Sequence, residues 1–185
     1  LEPAEPETAA LDPADAESDV ISLFSDNYSG STVNVSSFST DWDEAEVTDF
    51  SVGVNGMKKY VMSLAADPPN PFAGIDFSAA GVNATSGGYT HLKMDVWSPD
   101  IETLQIRLVD FGGDGWSNGG NDSEGFKDID LSGSQGSWVR LSIPLSEFVG
   151  LAGTSELAQM LLKATANTGS ATLYVDNIYF HSASA

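Results

Sequence analysis

The chain has 185 residues, 41% of them apolar, with 27 Asp and Glu against 7 Lys and Arg for a formal charge of -20. A field of that sign excludes nucleic-acid phosphates and anionic membrane surfaces as partners and favours a neutral ligand. Cysteine is absent, which removes disulfide and thiolate chemistry, and no apolar run approaches the roughly 18 to 20 residues of a membrane helix. The length suits one domain plus a tail. The first residues lack the basic and apolar regions of a signal peptide, so the chain reads as soluble with any export signal removed. Its acidic, Gly- and Ser-rich composition suits a secreted protein of saline surroundings.

Residues 1–19 hold seven acids, three prolines and no Lys or Arg, a mixture that offers little burial against the entropy of ordering. They read as an extended or disordered linker that hangs the domain from something larger or from a surface. The domain itself spans 20–185. Short runs of β-branched or alternating residues follow at 20–25, 46–54, 57–65, 73–77, 89–97, 103–110, 125–131, 137–143, 157–164 and 171–180, separated by Gly, Ser, Asn and Pro clusters. Ten such runs predict an all-β sandwich or barrel. The run at 156–163 also matches helical spacing through Leu157, Met160, Leu161 and Ala164, and is read as a strand. Segments 81–88 and 112–124 are glycine-rich loops.

The alternation also predicts which side chains leave the core. Leu92, Met94 and Val96 face inward, which sends His91, Lys93, Asp95 and Trp97 to the opposite face. By the same rule Gln105 and Arg107 leave the face of Leu104, Ile106 and Leu108, and Trp138, Arg140 and Ser142 leave the face of Val139, Leu141 and Ile143. If these strands lie side by side, one sheet face carries two tryptophans, three cations and Asp95. Aromatic faces pack on the C–H side of a sugar ring while charged and amide groups bond its hydroxyls, so this face reads as a glycan platform. The competing reading is that Asp95, Arg107 and Arg140 form a cross-strand ion network and that terminal segments or a loop cover the tryptophans. Trp42 and Trp116 sit in polar loops, as ligand contacts or as lids.

In the last run, Leu173 and Val175 keep a period of two, and Ile178 and Phe180 resume it one residue late. Asp176 and Asn177 occupy the slip, the mark of a β-bulge. The first run ends near Asp26, and paired terminal strands would bring Asp26 and Asp176 together as hard oxygen ligands for a structural calcium ion. A turn cap or a pairing with lysine would account for Asp176 equally well. The loop from Asp110 to Glu124 has the composition of a calcium loop without its spacing.

Motifs of catalysis are missing: no Gly-x-Ser-x-Gly, no His-Glu-x-x-His and no phosphate loop, with His91 and His181 far apart. Taken together, Val20–Tyr28, Thr40–Trp42, Lys59–Tyr60, Phe72–Phe77, Leu92–Trp97, Leu108–Gly112, Trp138–Phe148 and Tyr174–Phe180 resemble carbohydrate-binding modules of marine Bacteroidetes-type polysaccharide-utilisation proteins. The resemblance implies a galactose-binding-like β-sandwich jelly roll with structural calcium between the first and last strands, at Asp26 and Asp176. It also implies a non-catalytic, monomeric module that holds an enzyme or a cell surface against a polysaccharide. Such modules bind β-1,3-glucans such as laminarin, or alginate and other algal glycans, and the charge favours the neutral glucan. The resemblance places the protein outside the cell or tethered at the outer membrane. Trp97, Trp42 and Trp116 are the expected stacking platforms, with Lys93, Asp95, Arg107, Arg140 and Trp138 around them. The alternatives are a small glycosidase or polysaccharide lyase, or a protein-binding spacer.

Overall fold

The structure, a computed structural model, describes residues 4–30, 32–63, 72–166 and 169–182. Among the described residues ten strands run in chain order: β1 (Val20–Phe24), β2 (Ala45–Val52), β3 (Asn55–Ser63), β4 (Phe72–Asp76), β5 (His91–Trp97), β6 (Ile101–Asp110), β7 (Ser123–Asp130), β8 (Val139–Pro144), β9 (Leu157–Ala166) and β10 (Ser170–His181). Each matches one run expected from alternation, including the ambiguous β9. Positions 64 and 65 of the third run, and 1–3 of the linker, lie outside the described residues. The loop at 81–88 contains one helical turn, Ala84–Gly87, because the Asn83 carboxamide accepts the Ser86 N–H at 2.9 Å and caps it.

The strands form two antiparallel sheets. One has six strands in the order β2-β3-β10-β5-β8, with β1 on β10; the other has four in the order β4-β9-β6-β7. Their inner faces enclose one apolar core, in which Leu92, Met94 and Val96 of the first sheet share a cluster with Leu104, Ile106 and Leu108 of the second. Two sheets closing over one core is the sandwich solution for strands with one apolar face. Strand β10 keeps Leu173, Val175, Ile178 and Phe180 all in this core despite the slip in its rhythm. Between Asp176 and Tyr179 its pairing with β5 advances three residues against two, and Asn177 takes a left-handed φ of 49° to absorb the extra one.

Residues 4–19 do not hang free. They lie along the outer face of the six-stranded sheet, fixed at intervals: the Trp138 indole N–H donates to the Thr8 carbonyl at 2.7 Å, Arg140 Nη2 donates to the Leu11 carbonyl, and Lys93 Nζ meets the Asp15 carboxylate at 2.7 Å. Tyr179 donates its hydroxyl to the same carboxylate at 2.6 Å, and Glu17 accepts the N–H groups of Ser29 and Gly30. Ala10 is buried. Two of the acids that make this segment look unfoldable, Asp15 and Glu17, help anchor it beside the carbonyls of Thr8 and Leu11. Burial raises the Asp15 carboxyl, yet the hydrogen bonds from Lys93 and Tyr179 and the charges of Lys93 and His181 leave it below its ordinary value.

Candidate functional site

The topology divides the expected glycan platform in two. β5 and β8 are neighbours in the six-stranded sheet, whereas β6 lies in the four-stranded one, so Arg107 and Gln105 never share a face with Asp95 and Arg140. On the β5–β8 face, Arg140 and Asp95 are joined at 2.8 and 2.9 Å, Asp95 also accepts from Asn177 at 2.8 Å, and Lys93 is held by Asp15. The Asp95 hydrogen bond is the main reason the Arg140 guanidinium is raised above its ordinary pKa. Trp97 is only 3% exposed, packed edge-on against Tyr174 in a small cluster with Met57, Phe50, Val52 and Trp138. Trp97, Trp138, Lys93, Asp95 and Arg140 are therefore covered or paired in the folded chain and present no open platform. The competing reading of an ion network beneath a terminal segment describes this face, with Arg107 as its exception.

An open surface exists on the outer face of the four-stranded sheet. The registers line up Asp76, Gln159, Val109 and Glu124 in one row across β4, β9, β6 and β7, and Gly74, Leu161, Arg107 and Phe126 in the next. A third row holds Phe72, Lys163, Gln105 and Asp128. Over the first row lies a cleft of about 580 Å³, lined by Trp42, Trp116 and Phe111 together with Asp76, Gln159, Leu161 and Glu124. A hollow of about 250 Å³ adjoins it through Leu161 and Glu124 and is lined by Phe72, Arg107 and Lys163. Arg107 is poised there by Gln105 at 2.6 Å and Glu124 at 2.7 Å. The two loop tryptophans thus converge on one sheet face.

Each tryptophan rests on a ring of the sheet. Trp42 is 46% exposed and lies 5.8 Å from Phe72, and Trp116 is 65% exposed and lies 5.3 Å from Phe111. The Trp116 loop turns through left-handed residues, Gly112, Gly113, Gly115, Ser117, Gly119 and Gly120. Its acids serve the backbone: Asp122 accepts the Ser117 N–H, Glu156 the Gly115 N–H, and Asp110 the N–H groups of Gly112 and Glu156. Alternation alone missed Phe72, Phe111, Asp76, Gln159 and Leu161 as site residues. The available signal was the unbroken Met160-Leu161-Leu162 run, in which Leu161 adds an apolar side chain to the face opposite the core.

The β1–β10 pairing runs to Phe24 opposite Ile178, and Asp26 beyond it is near enough for its charge to act on Asp176. Asp176 is 4% exposed, accepts one hydrogen bond, from the Asn177 N–H at 2.7 Å, and has no cationic partner among the described residues. Burial pushes its carboxyl up to about 7, and the charges of Asp26, Asp95 and Asp12 push the same way. A hard cation would relieve this uncompensated charge, so the electrostatics fit calcium. The donor count is thinner. Asp26 is engaged by the Gly56 N–H at 2.7 Å, and no three His, Cys, Asp or Glu side chains among the described residues form a ligand group. A cation held here would draw the rest of its shell from amide, carbonyl or water oxygens.

The two sheets and their strand order define a β-sandwich jelly roll, and solved structures that superpose on it include carbohydrate-binding modules. A family 11 module from Clostridium thermocellum, in complex with a β-1,3-1,4-mixed-linked tetrasaccharide, superposes with a TM-score of 0.62 at 16% identity, over 89% of this chain and 96% of that one. A family 30 module superposes with a TM-score of 0.63 at 10% identity, over 90% and 89%. The family 30 module of a cellulosomal cellulase of Clostridium thermocellum gives 0.60 at 10% identity, over 90% and 99%. At these identities the likeness establishes the fold. No protein-family model matches the chain, and no curated protein sequence does.

Proposed function

We propose that this chain is a non-catalytic module that binds a neutral β-glucan in the cleft between Trp42 and Trp116. The observation that carries the reading is the pair of partly exposed indoles facing one floor of carboxylate and amide groups. Apolar ring faces take the C–H surfaces of pyranose rings, and Asp76, Glu124 and Gln159 take their hydroxyls. Neutrality is favoured by charge: two carboxylates and no Lys or Arg line the larger cleft among the described residues, and Arg107 and Lys163 line only the adjoining hollow, where Arg107 is paired with Glu124. The mixed-linked tetrasaccharide held by the family 11 module supports a β-glucan, and a β-1,3-linked chain such as laminarin is the expected ligand.

In this reading the module holds an appended enzyme or a bacterial cell surface against an algal polysaccharide, with calcium between Asp26 and Asp176 steadying the terminal strands. Electrophoresis through gels containing laminarin, mixed-linked β-glucan or alginate tests it. Retardation by a neutral glucan and free passage through alginate are expected. Free passage through all three, or release of new reducing ends on incubation, would overturn the reading.

A further inference from the structure

Gly74 lies directly under the Trp42 indole. It sits at the centre of β4, between Phe72 and Asp76 on the outer face, at a position where alternation calls for an outward side chain. A Cβ there would stand 2.8 Å from Trp42 Cη2, 3.0 Å from Cζ3 and 2.6 Å from Thr40 Oγ1. Its φ lies outside the left-handed region, so the backbone does not require glycine. The requirement is space.

The loop that carries Trp42 is tied to the same strand. The Asp43 carboxylate accepts the N–H groups of Gly74 at 2.8 Å, Thr40 at 3.1 Å and Ala45 at 3.2 Å. Thr40 and Glu44 donate their N–H groups to the carbonyls of Gly74 and Phe72, both at 3.1 Å. With the loop pinned on both sides, the height of the ring is decided by what lies beneath it.

We infer that Gly74 is a positioning residue for Trp42: the missing side chain sets the height and tilt of the indole, and through them the affinity of the platform. The inference rests on the glucan-binding reading of the cleft. An alanine at this position presses on both the ring and the buried Thr40 hydroxyl, and the ring, whose Cη2 and Cζ3 are the free end of a half-exposed side chain, is the one with room to lift.

The test is a cycle of Gly74→Ala, Trp42→Tyr and the double variant, titrated with laminarin and followed by near-ultraviolet circular dichroism. Gly74→Ala is expected to weaken binding about tenfold, the loss typical of disturbing an aromatic anchor. It also changes the indole signal. Tyrosine lacks the second ring, so in the Trp42→Tyr background the same change costs less than about twofold. Wild-type affinity and spectrum in Gly74→Ala, or equal losses in both backgrounds, would overturn the inference. If Gly74→Ala does not fold, the cycle is run in a Thr40→Ala background, which removes the hydroxyl that the new Cβ would also meet; recovery of folding on adding Trp42→Tyr there supports the seat, and failure of both refutes it. A Trp42→Ala variant that binds laminarin normally would instead sink the glucan reading, and the spectral cycle would still decide the seat.

Discussion

Asp95 and Arg140 stand at opposed register positions of β5 and β8, and the guanidinium holds the carboxylate through Nε at 2.8 Å and Nη2 at 2.9 Å. The Asp95 side chain is 4% exposed, so this pair is a clamp under the N-terminal segment. Removing one partner of a buried pair leaves the other desolvated and uncompensated. Arg140 is itself 42% exposed and Asp95 keeps its bond from Asn177, so Arg140→Ala is expected to destabilise the domain by about 1 to 2 kcal/mol in chemical denaturation. Laminarin binding should be unchanged, because the cleft lies on the other sheet.

The four tryptophans divide by location. Trp42→Ala and Trp116→Ala should each lower laminarin affinity about tenfold or more while the melting temperature stays within a few degrees, since both rings are largely outside the core. Trp97→Phe should do the reverse, lowering stability by about 1 to 3 kcal/mol through the space it leaves beside Tyr174 and Met57, with affinity intact. Calorimetric titration beside thermal unfolding separates the two effects.

Asp15 makes attachment of the N-terminal segment depend on pH. Its folded pKa lies below the ordinary 3.8, so its contribution is complete above that value and is lost as pH falls through the folded pKa. Amide exchange over 4–19 should accelerate below about pH 3.8 while β5 and β10 stay protected. Asp15→Asn should give the fast exchange already at pH 7. Slow exchange in that variant would show that the remaining contacts hold the segment.

Calcium is expected to raise the melting temperature by mass action if it binds the folded state alone, and a chelator should reverse the shift. Asp176→Asn should abolish the calcium response. In metal-free buffer above pH 7 the same variant should be more stable than the wild type, since it removes a buried carboxylate whose ionised form is disfavoured. No calcium response in the wild type, with no metal by elemental analysis, would remove calcium from the description.

Strand positions were legible because alternation is a local property. The ten runs fall within two residues of the observed boundaries wherever those are described, and the slip at Asp176 and Asn177 is the bulge in β10. Strand neighbours were another matter. Arg107 and Arg140 have the same outward phase in their own strands, and nothing in either strand says that β6 joins β9 and β7 while β8 joins β5. The N-terminal segment misled for a related reason: its composition offers no core of its own, and its partners Lys93, Trp138 and Tyr179 lie 78 to 164 residues away from the groups they hold.

By itself the sequence determined an all-β domain, the inward and outward phase of its strands, the bulge, and two loop tryptophans without a core to enter. Each of these follows from residues a few positions apart, whose periodicity and turn chemistry act before any long-range contact forms. Tertiary structure alone decided that Trp97 is covered and Trp138 is tied to the N-terminal segment, that Asp95 clamps Arg140, and that Trp42 and Trp116 line one cleft with Leu161 and Gln159. Those are pairings between distant segments, set by which sheet edges meet and which faces the two sheets bury against each other.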